Sequence, residues 1–369
     1  MEIAFRTDAS LRIGSGHVMR CLTLAEALRQ RGATCYFICR EQPGNLLAQI
    51  RARGFAMVVL QGVPTDNASV LQHSAPQHYE WLGSTWEVDA EQTLAGLKGA
   101  RPDWLIVDHY ALDRQWEGAV RHGCKALMVI DDLADRPHSC DLLLDPNLGR
   151  TTADYSGLVS NDCTVLTGPR YALLRPEFVQ WRAHSLARHR TGTSLHHVMI
   201  SMGGVDQENA TSRVLQAVQH GNLLPQGCSI TVVMGPRAPW LRQVMNLTKT
   251  LPWRTDVAIN VEDMARRMAA SDLAIGAAGG TAWERCCLGL PTLLIVLAEN
   301  QWPGARALHS VGAARLVGEP NDVGRRLGPE LAALTQGDAL HRMSFIASTV
   351  TDGLGLSRLI EALQSHGRD

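Results

Sequence analysis

The sequence predicts an α/β protein made of two strand–turn–helix halves, and three observations carry that prediction. Short, unbroken apolar runs alternate with helical patterns, as a parallel sheet covered on both faces requires. The alternation stops and begins again near residue 198. Each half holds a Gly-rich turn between a strand and a helix: Ile13-Gly14-Ser15-Gly16-His17 in the first, Gly276-Ala277-Ala278-Gly279-Gly280-Thr281 in the second. Such turns bring backbone N–H groups and a helix dipole up to an anion. Two of them, in two Rossmann-like domains facing a central cleft, point to a nucleotide-linked ligand at the carboxyl ends of the strands. The chain's 369 residues, 45% of them hydrophobic, suffice for two cores.

In the first half, strands are expected at 2–6, 33–39, 56–60, 104–108, 125–130, 142–144 and 163–166. The first turn opens a helix whose apolar positions Val18, Cys21, Leu22, Ala25 and Leu28 share one face. Residues 62–92 are rich in Gln, His, Ser, Thr and Pro. They read as a loop over or beside the cleft, then a helix near 85–97. Residues 176–197 read as the connector: 182–190 is a basic, solvated run, and Thr191-Gly192-Thr193-Ser194 breaks any helix. The domains are therefore drawn at 1–180 and 190–369, the last helix being able to pack back on the first. The second half has expected strands at 198–201, 229–234, 257–259, 272–276 and 292–297. Its helices are expected near 209–219 and at 322–335, 339–349 and 355–364. No internal sequence repeat relates the halves.

The net charge of −1 argues against nucleic acid as a partner, since phosphate-backbone binding needs a surplus of Lys and Arg. No apolar run approaches the roughly 18 residues of a membrane span. Met1-Glu2-Ile3 begins a strand rather than a leader, so a cytoplasmic protein is expected. The nine Cys show no metal spacing; Cys35 and Cys39 fall on a strand and Cys286-Cys287 in a helix, as reduced, buried thiols would. His196-His197 reads as a solvated strand entrance. No metal or cofactor is called for, and a monomer is expected.

The two turns carry the chemistry. His17 lies at a helix N-terminus, where the dipole favours the neutral imidazole and leaves it available as a base. Asp8, at the strand's end, is the residue expected to orient one ring nitrogen so that the other faces a substrate. A capping role is the plainer alternative for His17, but Gly14 and Gly16 open the backbone on either side of it. In the second turn Gly279 and Gly280 allow close approach to a diphosphate and Thr281 adds a hydroxyl. Glu284, one turn into the next helix, can accept from two ribose hydroxyls or simply complement the dipole.

Other strand ends add candidates. Gly203-Gly204 with Asp206 could hold the other side of a diphosphate, or Asn209 could simply cap a helix; the sequence leaves these equal. Asp108-His109-Tyr110 ends one strand, with Tyr110 or His109 placed to touch a sugar. Asp131-Asp132 ends another, as an acid–base pair or as a loop anchor for Arg136, with anchoring preferred. Glu299, Asn300 and Gln301 follow a strand, where they could read hydroxyls or amides.

Taken together these stretches resemble the UDP-2,4-diacetamido-2,4,6-trideoxy-β-L-altropyranose hydrolases of bacterial pseudaminic-acid synthesis. The matching segments are Arg6-Thr7-Asp8-Ala9-Ser10 with Ile13-Gly14-x-Gly16-His17-x-x-Arg20-Cys21, Val107-Asp108-His109-Tyr110, Ile130-Asp131-Asp132 and Asp145-Pro146-Asn147. Gly168-Pro169-Arg170-Tyr171-Ala172-Leu173-Leu174-Arg175-Pro176-Glu177-Phe178, Ser201-Met202-Gly203-Gly204-x-Asp206 and Gly279-Gly280-Thr281-x-x-Glu284 complete the set, across about residues 2–301. The resemblance implies a GT-B-like architecture related to the glycosyltransferase that forms lipid II, with UDP on the carboxyl-terminal domain and His17 as general base. It implies inversion at the anomeric carbon. Tyr110, Asp132 and Asn147 are candidate substrate contacts that the sequence alone leaves open. Residues 62–92 match nothing in the family pattern. Three competing readings remain: a transferase passing the sugar to an acceptor, a nucleotide-sugar binding protein without turnover, and a hydrolase for a related diacetamido sugar.

Overall fold

The computed structural model describes residues 1–62, 76, 78–191 and 194–366. The chain divides into two units, one of Met1–Leu173 with Leu356–Asp369, the other of Leu174–Gly355.

The first unit contains β1 (Glu2–Thr7), β2 (Thr34–Arg40), β3 (Ala56–Leu60), β4 (Trp104–Asp108), β5 (Ala126–Ile130), β6 (Leu142–Asp145) and β7 (Thr164–Thr167). They form one sheet in the order β3-β2-β1-β4-β5-β6-β7, each pairing parallel. Burial on both faces explains the unbroken apolar runs. Ile3 and Phe5 of β1 pack with Val18, Leu22 and Leu28 of helix Gly16–Gln30, whereas Ala4 faces Leu97 and Trp116 on the opposite side. The final helix contributes Leu356, Leu359, Ile360 and Leu363 to the Ile3–Phe5 side, and Trp104 Nε1 donates to Leu363 O at 3.2 Å.

The opposite side also buries charge. Arg6 and Arg40 both donate to Asp89 Oδ2, at 2.7 and 2.6 Å, and Trp116 Nε1 donates to Asp89 Oδ1 at 3.0 Å. Asp89 lies on helix Trp86–Leu97, which the sequence placed at 85–97. Of the loop expected within 62–92, residues 63–75 and 77 lie outside the described residues.

The second unit repeats the plan with β8 (His197–Ser201), β9 (Ser229–Met234), β10 (Arg254–Ile259), β11 (Leu273–Ala277), β12 (Thr292–Ile295) and β13 (Arg315–Gly318). The order is β10-β9-β8-β11-β12-β13, again parallel. β10 starts three residues before the expected 257–259: it is an edge strand whose Arg254-Thr255-Asp256 needs no apolar run. β13 was not anticipated; only four residues long, it gives almost no periodic signal.

The expected connector is a correction. Residues Pro176–Thr191 are helical, and the basic run is split: His184 and Arg190 stay exposed as expected, while Arg182, Ser185 and Arg188 are tied into the second unit. Arg182 donates to the carbonyls of Cys287, Ser348 and Thr351, Ser185 Oγ donates to Leu288 O, and Arg188 pairs with Asp272. These partners are carbonyls near helix ends and one strand-entry carboxylate, which no local pattern reveals.

In each sheet the order reverses at one place, between β1 and β4 and between β8 and β11. Open α/β sheets bind ligands outside the carboxyl ends of the strands at such a reversal. The turns after β1 and β11 both lie there.

Candidate active site

The first turn is shaped by its own backbone. Gly14 N donates to Ser10 O at 2.8 Å, and Ser10 Oγ accepts from Ile13 N at 3.0 Å. Helix Gly16–Gln30 then begins, and His17 is its second residue, 6% exposed. A Cβ on Gly14 or Gly16 would meet nothing within 4 Å. Gly14 needs its glycine for a φ of +78°; Gly16 has neither that need nor a packing reason within the chain.

His17 Nδ1 lies 2.6 Å from Asp108 Oδ1. A carboxylate only accepts, so Nδ1 carries the proton and the Nε2 lone pair is left for another partner. Arg20, one turn along the helix, grips the same carboxylate with two bonds of 2.6 Å and reaches Asp132 Oδ2 at 2.8 Å. Burial pushes the Asp108 carboxyl up, but Arg20 and His17 outweigh it and hold the group well below the usual carboxylate range. Asp108 is therefore a fixed anion behind the imidazole.

Asp8 does not occupy that place. It accepts from Arg6 at 2.9 Å and from Arg40 N at 2.6 Å, and stands 3.4 Å from His109 Nε2. Alternation along the strand is the cause: Ala4, Arg6 and Asp8 share the face away from helix Gly16–Gln30. On β4, Trp104, Ile106 and Asp108 share the face toward it. Reading the two strands face by face would have selected Asp108.

The remaining residues of the first unit separate in the same way. His109 is buried, accepts from Ala111 N at Nδ1 (3.1 Å) and turns Nε2 to Asp8. Tyr110 sets its ring edge-on to His17, centroids 4.5 Å apart. Asp131 and Asp132 are not a pair: Asp131 holds Arg136 (2.8 Å) and accepts from Tyr155 OH (3.0 Å), while Asp132 joins the Arg20 network. Asp132 Oδ1 has no hydrogen-bond partner among the described residues. Asn147 Nδ2 donates to Asp132 O at 2.9 Å, bringing Asn147 to the edge of this group.

In the second unit Gly203 and Gly204 follow β8, and Gly203 has a φ of +79° with open space at its Cβ position. Asp206 is the helix cap, accepting from Ala210 N (2.8 Å) and Thr211 N (3.0 Å). Asn209 makes no cap bond, being itself in the left-handed region at φ +57°. After β11, a Cβ on Gly280 would meet nothing within 4 Å, and the Gly279 and Gly280 N–H groups have no partners among the described residues. Thr281 begins the next helix.

Arg285, which the sequence did not flag, lies beneath this turn. It is 2% exposed, donates to Ala277 O (2.6 Å) and Thr281 Oγ1 (3.2 Å), and has no ion pair among the described residues. A Cβ on Gly276 would lie 2.7 Å from its Nη1, so that glycine makes room for the guanidinium. Burial pulls Arg285 down to about 10. Glu284 beside it is mostly buried, with Arg175 4.0 Å away, and burial pushes its carboxyl up to about 7 against the pull of Arg175 and Arg285. Gln301 uses Oε1 to accept from Leu297 N (3.0 Å); its Nε2 is the group nearest a Gly279 Cβ position, at 3.6 Å. Asn300 is exposed on the same short turn, Glu299–Gln301.

Two parallel α/β sheets of this order define a GT-B glycosyltransferase-like fold. The chain superposes on the MurG of Acinetobacter baumannii with a TM-score of 0.66 at 13% identity, covering 99% of both chains. In sequence it is 27% identical over 314 residues to the UDP-2,4-diacetamido-2,4,6-trideoxy-β-L-altropyranose hydrolase of Campylobacter jejuni, 85% of this chain and 97% of that one. It is 26% identical over 307 residues to an uncharacterised protein of Methanocaldococcus jannaschii, covering 82% of this chain but spanning only 56% of that longer protein. No protein-family model matches the chain. No helix of the described residues is long and apolar enough to cross a membrane.

Proposed function

We propose that this chain is a nucleotide-sugar hydrolase that releases UDP from UDP-2,4-diacetamido-2,4,6-trideoxy-β-L-altropyranose. The observation that carries the reading is the His17–Asp108 pair, 2.6 Å apart at the strand-order reversal, with Nε2 unengaged by Asp108. The similarity to the Campylobacter hydrolase supports the choice of substrate.

In this reaction His17 Nε2 takes a proton from water as the water oxygen bonds to the anomeric carbon. The bond from that carbon to the diphosphate oxygen breaks, UDP departs with the electron pair, and the configuration inverts. Asp108 stabilises the imidazolium that forms. Tyr110, Asp132 and Asn147 contact the sugar. In the second unit, the N–H groups of Gly279, Gly280 and Gly204 and the Thr281 hydroxyl receive the diphosphate, and Glu284 the ribose. Donors set in advance stabilise a developing charge without reorganising. UDP is a good leaving group, so neither a strong general acid nor a metal is required.

The test is UDP release from the diacetamido-trideoxy-altrose nucleotide, with UDP-N-acetylglucosamine as control and a chelator present. Rapid release from the first alone, in buffer without an acceptor, is the expected result. Tight UDP binding with no release would favour a transferase, in which the same base deprotonates an acceptor hydroxyl. Activity that vanishes with the chelator would contradict the metal-free mechanism.

A further inference from the structure

Residues 62–92 match nothing in the family pattern, yet two of them pack on Tyr110, the ring that meets the proposed base. The short turn Tyr79–Leu82 is fixed from below by Leu82, which is fully buried, and laterally by Gln42 Nε2, which donates to Trp81 O at 2.9 Å. That fixing brings Trp81 and His78 onto Tyr110. Ring centroids are 4.3 Å apart for His78–Trp81, 5.4 Å for His78–Tyr110 and 5.7 Å for Trp81–Tyr110, with interplanar angles of 35°, 38° and 32°. Tyr110 in turn meets His17 edge-on.

The three rings form one cluster, inclined to each other at similar angles, that meets the base through Tyr110. Tyr110 is buried, but His78 and Trp81 are half-buried and keep surface for a ligand. The Trp81 indole N–H has no partner among the described residues. Burial also lowers the His78 pKa. Aromatic faces attract the C–H-rich faces and methyl groups of a sugar and gain little from its hydroxyls.

We propose that Trp81 and His78, with Tyr110, form a specificity wall that selects nucleotide sugars carrying a C6 methyl and two acetamido groups over more heavily hydroxylated ones such as UDP-N-acetylglucosamine. This rests on the hydrolase reading for its substrate, but the wall is a binding surface with its own readout. Trp81 and His78 contact the sugar and take no part in the proton transfer.

Two measurements test it. In steady-state UDP release, Trp81→Ala should raise KM about tenfold or more with kcat little changed and inhibition by UDP unaltered; Trp81→Phe should recover most of the loss. Preference over UDP-N-acetylglucosamine should narrow in Trp81→Ala and in His78→Ala. In a His17→Asn background, saturation transfer from the protein's aromatic protons should reach the methyl groups of the bound diacetamido nucleotide sugar and fade with Trp81→Ala. Unchanged KM and preference, or no transfer to those methyls, overturns the wall. Transfer without UDP release from the unmutated protein keeps the wall and overturns the hydrolase reading.

Discussion

Both units set a glycine turn where strand order reverses, yet the charges behind the two turns are arranged differently. Behind the first, Asp108 is held by His17 and doubly by Arg20, Arg20 also holds Asp132, and on the far face Arg6 and Arg40 converge on Asp89. Behind the second, Arg285 is buried against two neutral acceptors, and among the described residues the one ion pair of Glu284 is a long one, to Arg175 at 4.0 Å. A buried ion without a close partner costs several kcal/mol after relaxation. The first arrangement suits a group that must keep one geometry through a proton transfer. The second leaves a cation and a poised carboxyl whose interactions a diphosphate and a ribose would complete.

The sharpest way to break this comparison is at the base. His17→Asn removes the proton acceptor, and general-base assistance is worth about 10²–10⁴-fold. Turnover should fall by that factor while UDP affinity, assigned to the second unit, stays within about twofold. A kcat near normal would end the assignment of His17. Lost UDP affinity would mean that the division of labour between the units is wrong.

Glu284→Ala probes the other side of the comparison. Hydrogen bonds to a charged group are worth about 1.5–3 kcal/mol, so UDP should bind roughly tenfold to a hundredfold more weakly. Calorimetry on UDP measures this directly. Unchanged affinity would remove Glu284 from the ribose and leave its burial unexplained.

What the sequence could show follows the same division. Strands buried on both faces announce themselves, as in Trp104–Asp108, because each residue along them is apolar until the chain reaches the site. The glycine turns were legible from the strand before and the helix after. The identity of the residue behind His17 was not read correctly, because Asp8 is nearer in sequence and only strand alternation shows that it faces away. Arg285 escaped because a lone Arg on a helix looks solvated; its burial depends on Gly276 opening a space that sequence proximity does not suggest. Arg182 was misread for a similar reason, its partners being carbonyls more than a hundred residues away.

The smallest expected effect is the most specific to the second unit. Burial raises the Glu284 carboxyl to about 7 in the unliganded protein. Accepting from two ribose hydroxyls, one on each oxygen, favours the ionised form, so binding expels a proton when the pH lies below that value. Affinity should therefore be flat above about pH 7 and weaken by up to about tenfold for each unit below it. The terminal phosphate of UDP titrates in the same range, so uridine, which carries no phosphate, is the ligand to use. Glu284→Gln should flatten the profile, because a carboxamide does not ionise. A profile for uridine that is flat in the unmutated protein would show that the carboxyl is already ionised in the free site, and the contrast between the paired first turn and the unpaired second would shrink accordingly.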